Sequence, residues 1–204
     1  MPVTPEQRAE GWVSVTEVLD TFIPKGLLSW YLKTGAKEAK RLSTVAMKIG
    51  SRVDELIQQD ITNGSYKLSS KDPIEVKNCM EAWLSFKRDY QPNIVSTQME
   101  VTNHVQKVVG HIDIVWDRII DVKCASSIKD NYWIQTSKYD YDYPGALEVP
   151  AILRLDKNLA TYEYKLMSDT RFNRVQCVKV FDGLLEAYRF YNEPKAQEDV
   201  CQTS

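Results

Sequence analysis

Long apolar runs are missing from this chain. None approaches the ~20 residues that a bilayer-spanning helix needs, and the opening residues MPVTPEQRAE lack the apolar core of a signal peptide. The expectation is a cytoplasmic protein without a membrane partner. Clustered metal-binding spacings are missing too: Cys79, Cys124, Cys177 and Cys201 are scattered, with no CxxC or Cys/His arrangement suited to zinc. They read as reduced thiols. Histidine is scarce, and His104 and His111 fit strand positions better than a catalytic pair or a metal cluster. Repeats and low-complexity linkers are also lacking. Neither sign of charge dominates, since 26 Lys and Arg face 28 Asp and Glu for a net charge of −2, so the overall balance does not decide for or against a nucleic-acid partner. Local distribution says more. Lys33, Lys37, Lys40, Arg41, Lys48 and Arg52 meet only Glu38 in one stretch, which reads either as a solvated helix face or as a phosphate-contacting one.

What is present is enough apolar content, 43% of 204 residues, for one globular domain with a real core. That domain is expected over residues 1–192, with 193–204 as a loose tail. Ser14 and Glu17 have capping-box spacing before a short helix, and residues 27–33 form another helical segment. From 38 to 61, Leu42, Val45, Ala46, Ile49, Val53, Leu56 and Ile57 recur at helical spacing before Asn63-Gly64. Asp72-Pro73-Ile74-Glu75 then supplies a cap and a first-turn proline for a helix running to about Tyr90. Beyond Pro92 the pattern changes to Val, Ile and Thr, giving expected strands at 94–101, 104–115 and 119–124. A helix over 127–139 follows. Strands at 149–155 and 161–166 flank Asp156-Lys157-Asn158, and Asp169 is positioned to cap a last helix through Tyr191.

The chemistry concentrates between Gly110 and Lys123. Period-two alternation puts Asp121 and Lys123 on one strand face with Val122 on the other. A three-residue turn at 116–118 would set Asp113 opposite Asp121, whereas a two-residue turn at Asp117-Arg118 would pair Asp113 with Val122 and scatter the polar groups. Two carboxylates converging among Val and Ile repel one another unless a cation lies between them. Oxygen donors suit Mg²⁺ or Mn²⁺, which can acidify water and stabilise charge on a phosphate, with the Lys123 ammonium orienting the water or supporting that charge. An amphipathic hairpin whose solvent face happens to carry acids and a lysine would look similar.

Gly-x-x-Asp113 followed by a hydrophobic strand ending in Asp121-x-Lys123 resembles motifs II and III of the PD-(D/E)XK nucleases, especially the RecB-like branch with lambda-type and Cas-type exonucleases. The Gln-x-x-x-Tyr motif of that branch is matched by Gln135-Thr-Ser-Lys-Tyr139, whose i, i+4 spacing puts both side chains on one helix face. By resemblance, Gln135 and Tyr139 sit beside the active site and help hold DNA. The upstream Gly-x-x-x-His motif is represented by Gly50-Ser-Arg-Val-Asp54, so the resemblance makes Asp54 a third metal ligand, its aspartate standing where histidine is common. A solvent-facing Asp54 is the alternative. Arg52 and Lys48, beside it, become candidates for phosphate contacts. Glu100 stands where many relatives carry a glutamate and either completes the acidic cluster or is exposed. Ile152-Leu-Arg-Leu-Asp-Lys157 resembles a later core strand of phage-type members. The spacing of the four cysteines does not match the iron–sulfur relatives, so no cluster is expected.

Tyr132, Trp133, Tyr139, Tyr141 and Tyr143 crowd the region after Lys123 and read either as a surface that stacks on unpaired bases or, the commoner use, as packing; Trp133 reads as core, and Tyr141 and Tyr143 as exposed. The resemblance implies an α/β, restriction-endonuclease-like core with a mixed central sheet flanked by helices. It also implies a metal-dependent deoxyribonuclease, an exonuclease acting on DNA with a free end in recombination, repair or phage DNA processing. A structure-selective or site-specific endonuclease, or a DNA-binding module without activity, would share the fold. A homo-oligomer and a recombination-protein partner are both left open.

Overall fold

In a computed structural model, which describes residues 3–23 and 25–192, two helical layers enclose a six-stranded mixed sheet. The expected tail at 193–204 and Cys201 lie outside the described residues. The order along the chain is α1 (Pro5–Ala9), β1 (Val13–Ser14), α2 (Val15–Asp20), α3 (Lys25–Thr34), α4 (Ala36–Asn63), α5 (Ile74–Tyr90), β2 (Ser96–Asn103), β3 (Val108–Val115), β4 (Ile119–Lys123), α6 (Asp130–Asp142), β5 (Ala151–Leu155), β6 (Tyr162–Leu166) and α7 (Arg174–Asn192). The α/β architecture with a mixed sheet between helices is therefore the one expected.

Local sequence accounts for most of these elements. Gly64 closes α4 in the left-handed conformation, φ 69°, that costs glycine no Cβ clash. Ser14 Oγ accepts from the Glu17 amide at 3.1 Å while Glu17 Oε2 accepts from the Ser14 amide at 3.0 Å, completing the capping box of α2. Four expectations shift. Residues 104–107 form a turn rather than strand, held by Asn103 Oδ1 accepting from the Gln106 amide at 3.0 Å. Asn173, not Asp169, caps α7, accepting from Val175 N at 2.9 Å. Asp72 does not cap α5; its carboxylate takes the Ser69 amide and Arg52 instead. The helix expected from 127 begins at Asp130.

Two apolar layers hold the sheet. On one face, Ile49, Val53, Leu56 and Ile57 of α4 and Val76, Met80, Trp83 and Phe86 of α5 pack against Ile114, Ile120, Val122, Leu153 and Leu155. Across the sheet, Val18 and Leu19 of α2, Tyr139 of α6 and Phe181 and Leu185 of α7 cover Val101, Val108, Ile112, Val115 and Ile119. Burying each large apolar side chain contributes roughly 1.5–3 kcal/mol.

The decisive feature for the site is how β3 is flanked. Along one edge β2 pairs with it antiparallel from Ser96↔Val115 to Asn103↔Val108. The other edge is shared: β1 pairs in parallel with Val108 and Val109, and β4 pairs antiparallel only through Ile114↔Ile120 and Val115↔Ile119. Between these contacts, Gly110 to Asp113 has no strand partner on that side among the described residues. After Ile120, β4 leaves β3 and follows β5 in parallel, from Ile120↔Ala151 to Lys123↔Arg154.

Candidate active site

A cavity of about 480 Å³ occupies this opening in the sheet. Its lining includes Asp113 of β3, Val122 and Lys123 of β4, Asp54 of α4, and Gln135 and Tyr139 of α6. The helices belong to opposite layers. The unpaired edge of β3 lets both reach the same space, so a carboxylate from α4 meets residues carried by α6.

The hairpin register decides between the two turns open in the sequence. Val115↔Ile119 pairing and a Trp116 N–Arg118 O hydrogen bond of 3.0 Å make 116–118 a three-residue turn. The ladder ends at Ile114↔Ile120, however, so Asp113 and Asp121 are not a regular strand pair. Instead, Asp113 Oδ2 accepts directly from the Val122 amide at 2.8 Å, taking the place of a backbone partner. Simple alternation also fails here: Ile112 joins the α2–α7 layer, yet Ile114 joins the α4–α5 layer. Gln98, facing this point from β2, has φ 52°, the left-handed region that non-glycine residues rarely adopt.

Asp121 and Lys123 share a face as expected, with Lys123 Nζ donating to Asp121 Oδ1 at 2.8 Å. The Lys123 ammonium also lies 5.3 Å from the centre of the Tyr132 ring. Asp121 is 1% exposed, and its Oδ2 is buried with no hydrogen-bond partner among the described residues. Leaving such an atom unsatisfied costs on the order of 1–3 kcal/mol or more. Burial, then the opposing pull of Lys123 and the repulsion of Asp113, leaves the Asp121 carboxyl pushed up to about 7. Asp54 is likewise pushed up to about 7, first by burial and then by Asp113, with Asp121 adding and Lys123 opposing. Asp113 is raised as well, chiefly by burial. For Lys123, burial works against the charge, but Asp121 and Asp113 outweigh it and the pKa is raised. One ammonium is thus insufficient for three carboxylates: at neutral pH the cluster favours either a retained proton or another positive charge.

Gln135 Nε2 donates to the Tyr139 hydroxyl at 2.8 Å, so the i, i+4 pair does meet on one face of α6. Gly110 explains how Tyr139 comes so near β3. A Cβ at residue 110 would overlap the tyrosine ring, with Cδ1 only 2.8 Å away.

Other expected residues are placed elsewhere. Glu100 is exposed and sits across from His111, with Oε2 3.5 Å from His111 Nε2, outside the acidic cluster. Arg52 is engaged by Asp72 at 3.0 Å, Glu55 at 2.8 Å and the Lys67 carbonyl at 3.1 Å. Those contacts brace α4 against the segment before α5 and leave little of the guanidinium for a phosphate. Lys48 is exposed on α4 and does not line the cavity. Tyr143, expected to be exposed, is partly buried against the α2–α7 layer. Conversely, Arg8, Thr16 and His111 line the cavity without having been singled out for it. Arg8 pairs with Glu17 at 2.5 Å on the rim. The place of His111 beside Gly110 hinted at proximity; nothing in the local sequence around Arg8 did.

No protein-family model matches this chain, and no curated protein matches it. Among solved structures it is similar to the crystal structure of an alkaline exonuclease (LHK-Exo) from Laribacter hongkongensis, with a TM-score of 0.44 and 13% identity, covering 92% of this chain and 95% of that one. The structure of LHK-Exo in complex with dAMP gives a TM-score of 0.43 and 13% identity over the same shares of the two chains. Likenesses this weak leave the chemistry to rest on the site itself.

Proposed function

We propose that this chain is a divalent-metal-dependent deoxyribonuclease that hydrolyses phosphodiester bonds, acting as an exonuclease on DNA with a free end. The observation that carries this reading is the meeting of Asp113, Lys123 and Asp54 at one opening in the sheet, beside Gln135 and Tyr139, with the buried Asp121 bonded to Lys123. Its place in recombination, repair or phage DNA processing rests on the motif resemblance alone.

The donor chemistry fits a hard cation. Asp121 Oδ2 lacks a partner, and the neighbouring carboxyl groups resist ionisation together. Among the described residues no group of three or more His, Cys, Asp or Glu side chains converges closely enough to hold an ion. Asp113 and Asp121 are the proposed ligands, and Asp54, which lines the same cavity, would have to draw closer to serve as the third. Bound Mg²⁺ or Mn²⁺ would supply Lewis-acid stabilisation of charge on the phosphate. Lys123, kept protonated by the acids, presents an ammonium to an attacking water or to the developing negative charge. The Val122 amide fixes the Asp113 carboxylate, while Gln135 and Tyr139 form a hydrogen-bonded wall against which DNA is held.

A DNA-binding module without activity is the rival reading, and the intact Asp113, Asp121 and Lys123 count against it. Degradation of linear and closed-circular DNA, single- and double-stranded, in Mg²⁺, Mn²⁺ or EDTA separates the readings. Loss of linear DNA alone, dependent on metal, supports the exonuclease; nicked circles indicate an endonuclease; binding without cleavage in any metal overturns the enzymatic reading.

A further inference from the structure

The start of α4 and the whole of α3 stand apart from the two packed layers. No residue from 26 to 34 is buried, and α4 buries none between Ala39 and Ile49. Among the described elements, the only extensive contact of α3 is with α4. The pair forms an arm whose surface carries large apolar groups in the open: Leu28 is 51% exposed, Leu32 77% and Met47 64%, with Tyr31 beside them. Exposure on this scale marks a surface that meets something.

Charge narrows the choice. Residues 26–48 hold Lys33, Lys37, Lys40, Arg41 and Lys48 against Glu38 alone, in a chain whose net charge is −2. Arg41 takes up Glu38 through bonds of 2.8 and 2.7 Å. The four lysines have no carboxylate partner among the described residues. At about 100° per residue, Lys37, Lys40, Arg41 and Lys48 fall within roughly one third of the α4 circumference. From Lys37 to Lys48 this stripe runs about 17 Å, and Asp54 follows about 9 Å further along the same helix. A strand stacked as in a duplex, rising ~3.4 Å per nucleotide, would cover the stripe with about five nucleotides, and a more extended single strand with fewer.

We infer that the α3–α4 arm is a binding surface for single-stranded DNA, which it guides along α4 toward the cavity; this rests on the nuclease reading of that cavity. Unpaired bases offer flat apolar faces to Tyr31, Leu28, Leu32 and Met47, while the lysines meet the phosphates. A duplex hides those faces and would leave the apolar half of the arm without a partner. The continuous helix from Lys37 to Asp54 holds the surface at a fixed distance from the acids.

Fluorescence anisotropy with labelled oligothymidylate, in EDTA so that nothing is cleaved, tests this directly. The expected result is affinity at least about tenfold above that for a duplex of equal length. Lys37→Ala with Lys40→Ala weakens single-strand binding about tenfold and lowers the slope of log affinity against log salt by about 1.4, about 0.7 for each phosphate no longer neutralised. Tyr31→Ala weakens binding by a similar factor without changing that slope, and Tyr31→Phe restores it. Circular dichroism melts establish that the variants fold. Equal or tighter duplex binding overturns the inference, as do arm variants that leave affinity and salt slope unchanged. So do variants that instead change the mass seen by light scattering or abolish binding to phosphatidylserine vesicles, which would assign the arm to a second copy or a lipid surface. Arm-dependent binding by a protein that cleaves nothing sinks the nuclease reading alone; cleavage with arm-independent binding sinks the arm alone.

Discussion

Lys123 faces two carboxylates that pull on one ammonium, and the imbalance gives the site its pH signature. Asp54 and Asp121 sit near 7 in the folded protein, against about 4 for an unfolded aspartate. The folded form therefore holds more protons than the unfolded chain between those values. Its extra stability is complete below about pH 4 and is lost as pH rises through about 7. Thermal melts in EDTA should show this cluster lowering stability between pH 5 and pH 8, with Mg²⁺ or Mn²⁺ restoring it at pH 8. Asp54→Asn should raise the metal-free Tm at pH 8 by about 2–4 °C, the shift that about 1 kcal/mol produces in a chain of this size. A Tm unaffected by Asp54→Asn would show that its carboxyl is not strained by its neighbours. That Asp121 and Lys123 share a face was legible because period two governs β4; how Asp113 joins them was not, because alternation breaks at that residue. Arg8 was not, since only the fold brings α1 to the cavity rim.

At the scale of elements, the cavity exists because β1 and β4 each claim one end of the same edge of β3. A two-residue strand such as Val13–Ser14 leaves almost no periodic signal, so the gap beside Gly110 was illegible even though the 116–118 turn was among the options read from the sequence. The break in alternation at Asp113 was hidden for a similar reason: it depends on Gln98 of a neighbouring strand. Gly110→Ala should displace the Tyr139 ring and destabilise the protein by about 1–3 kcal/mol, as overpacking does. A denaturant titration measures it, and a midpoint equal to wild type would contradict the close approach. Arg52, expected to face DNA, is used to brace α4 against Asp72, a partner 20 residues away that helical periodicity does not reveal. Arg52→Ala should lower stability by about 1–3 kcal/mol while leaving DNA affinity within about twofold, because it removes charge-assisted bonds within the fold. An affinity loss with no loss of stability would return Arg52 to the DNA surface.

Across the whole molecule, the helical stripe of α4 shows where sequence periodicity misleads. Leu42 and Val45 continue the apolar spacing of Ile49, Val53 and Leu56, yet they are exposed, because α4 joins the core against the sheet only from Ile49 onward. One helix thereby serves two purposes, a packed half that brings Asp54 to the acids and a projecting half that carries lysines. The individual helices and strands were readable from the change in periodicity near Pro92, whereas their layering as a mixed sheet between helices was implied by the motif resemblance. The cavity was readable only in its motif residues. Its central claim is metal-dependent hydrolysis through Lys123, and cleavage of linear DNA in Mg²⁺ by wild type and Lys123→Ala tests it most directly. Wild-type degradation that stops in EDTA and falls by about 10²–10³ in Lys123→Ala, with DNA affinity unchanged, is the predicted result. Equal rates for the two proteins, or no cleavage by wild type in either Mg²⁺ or Mn²⁺, would contradict it.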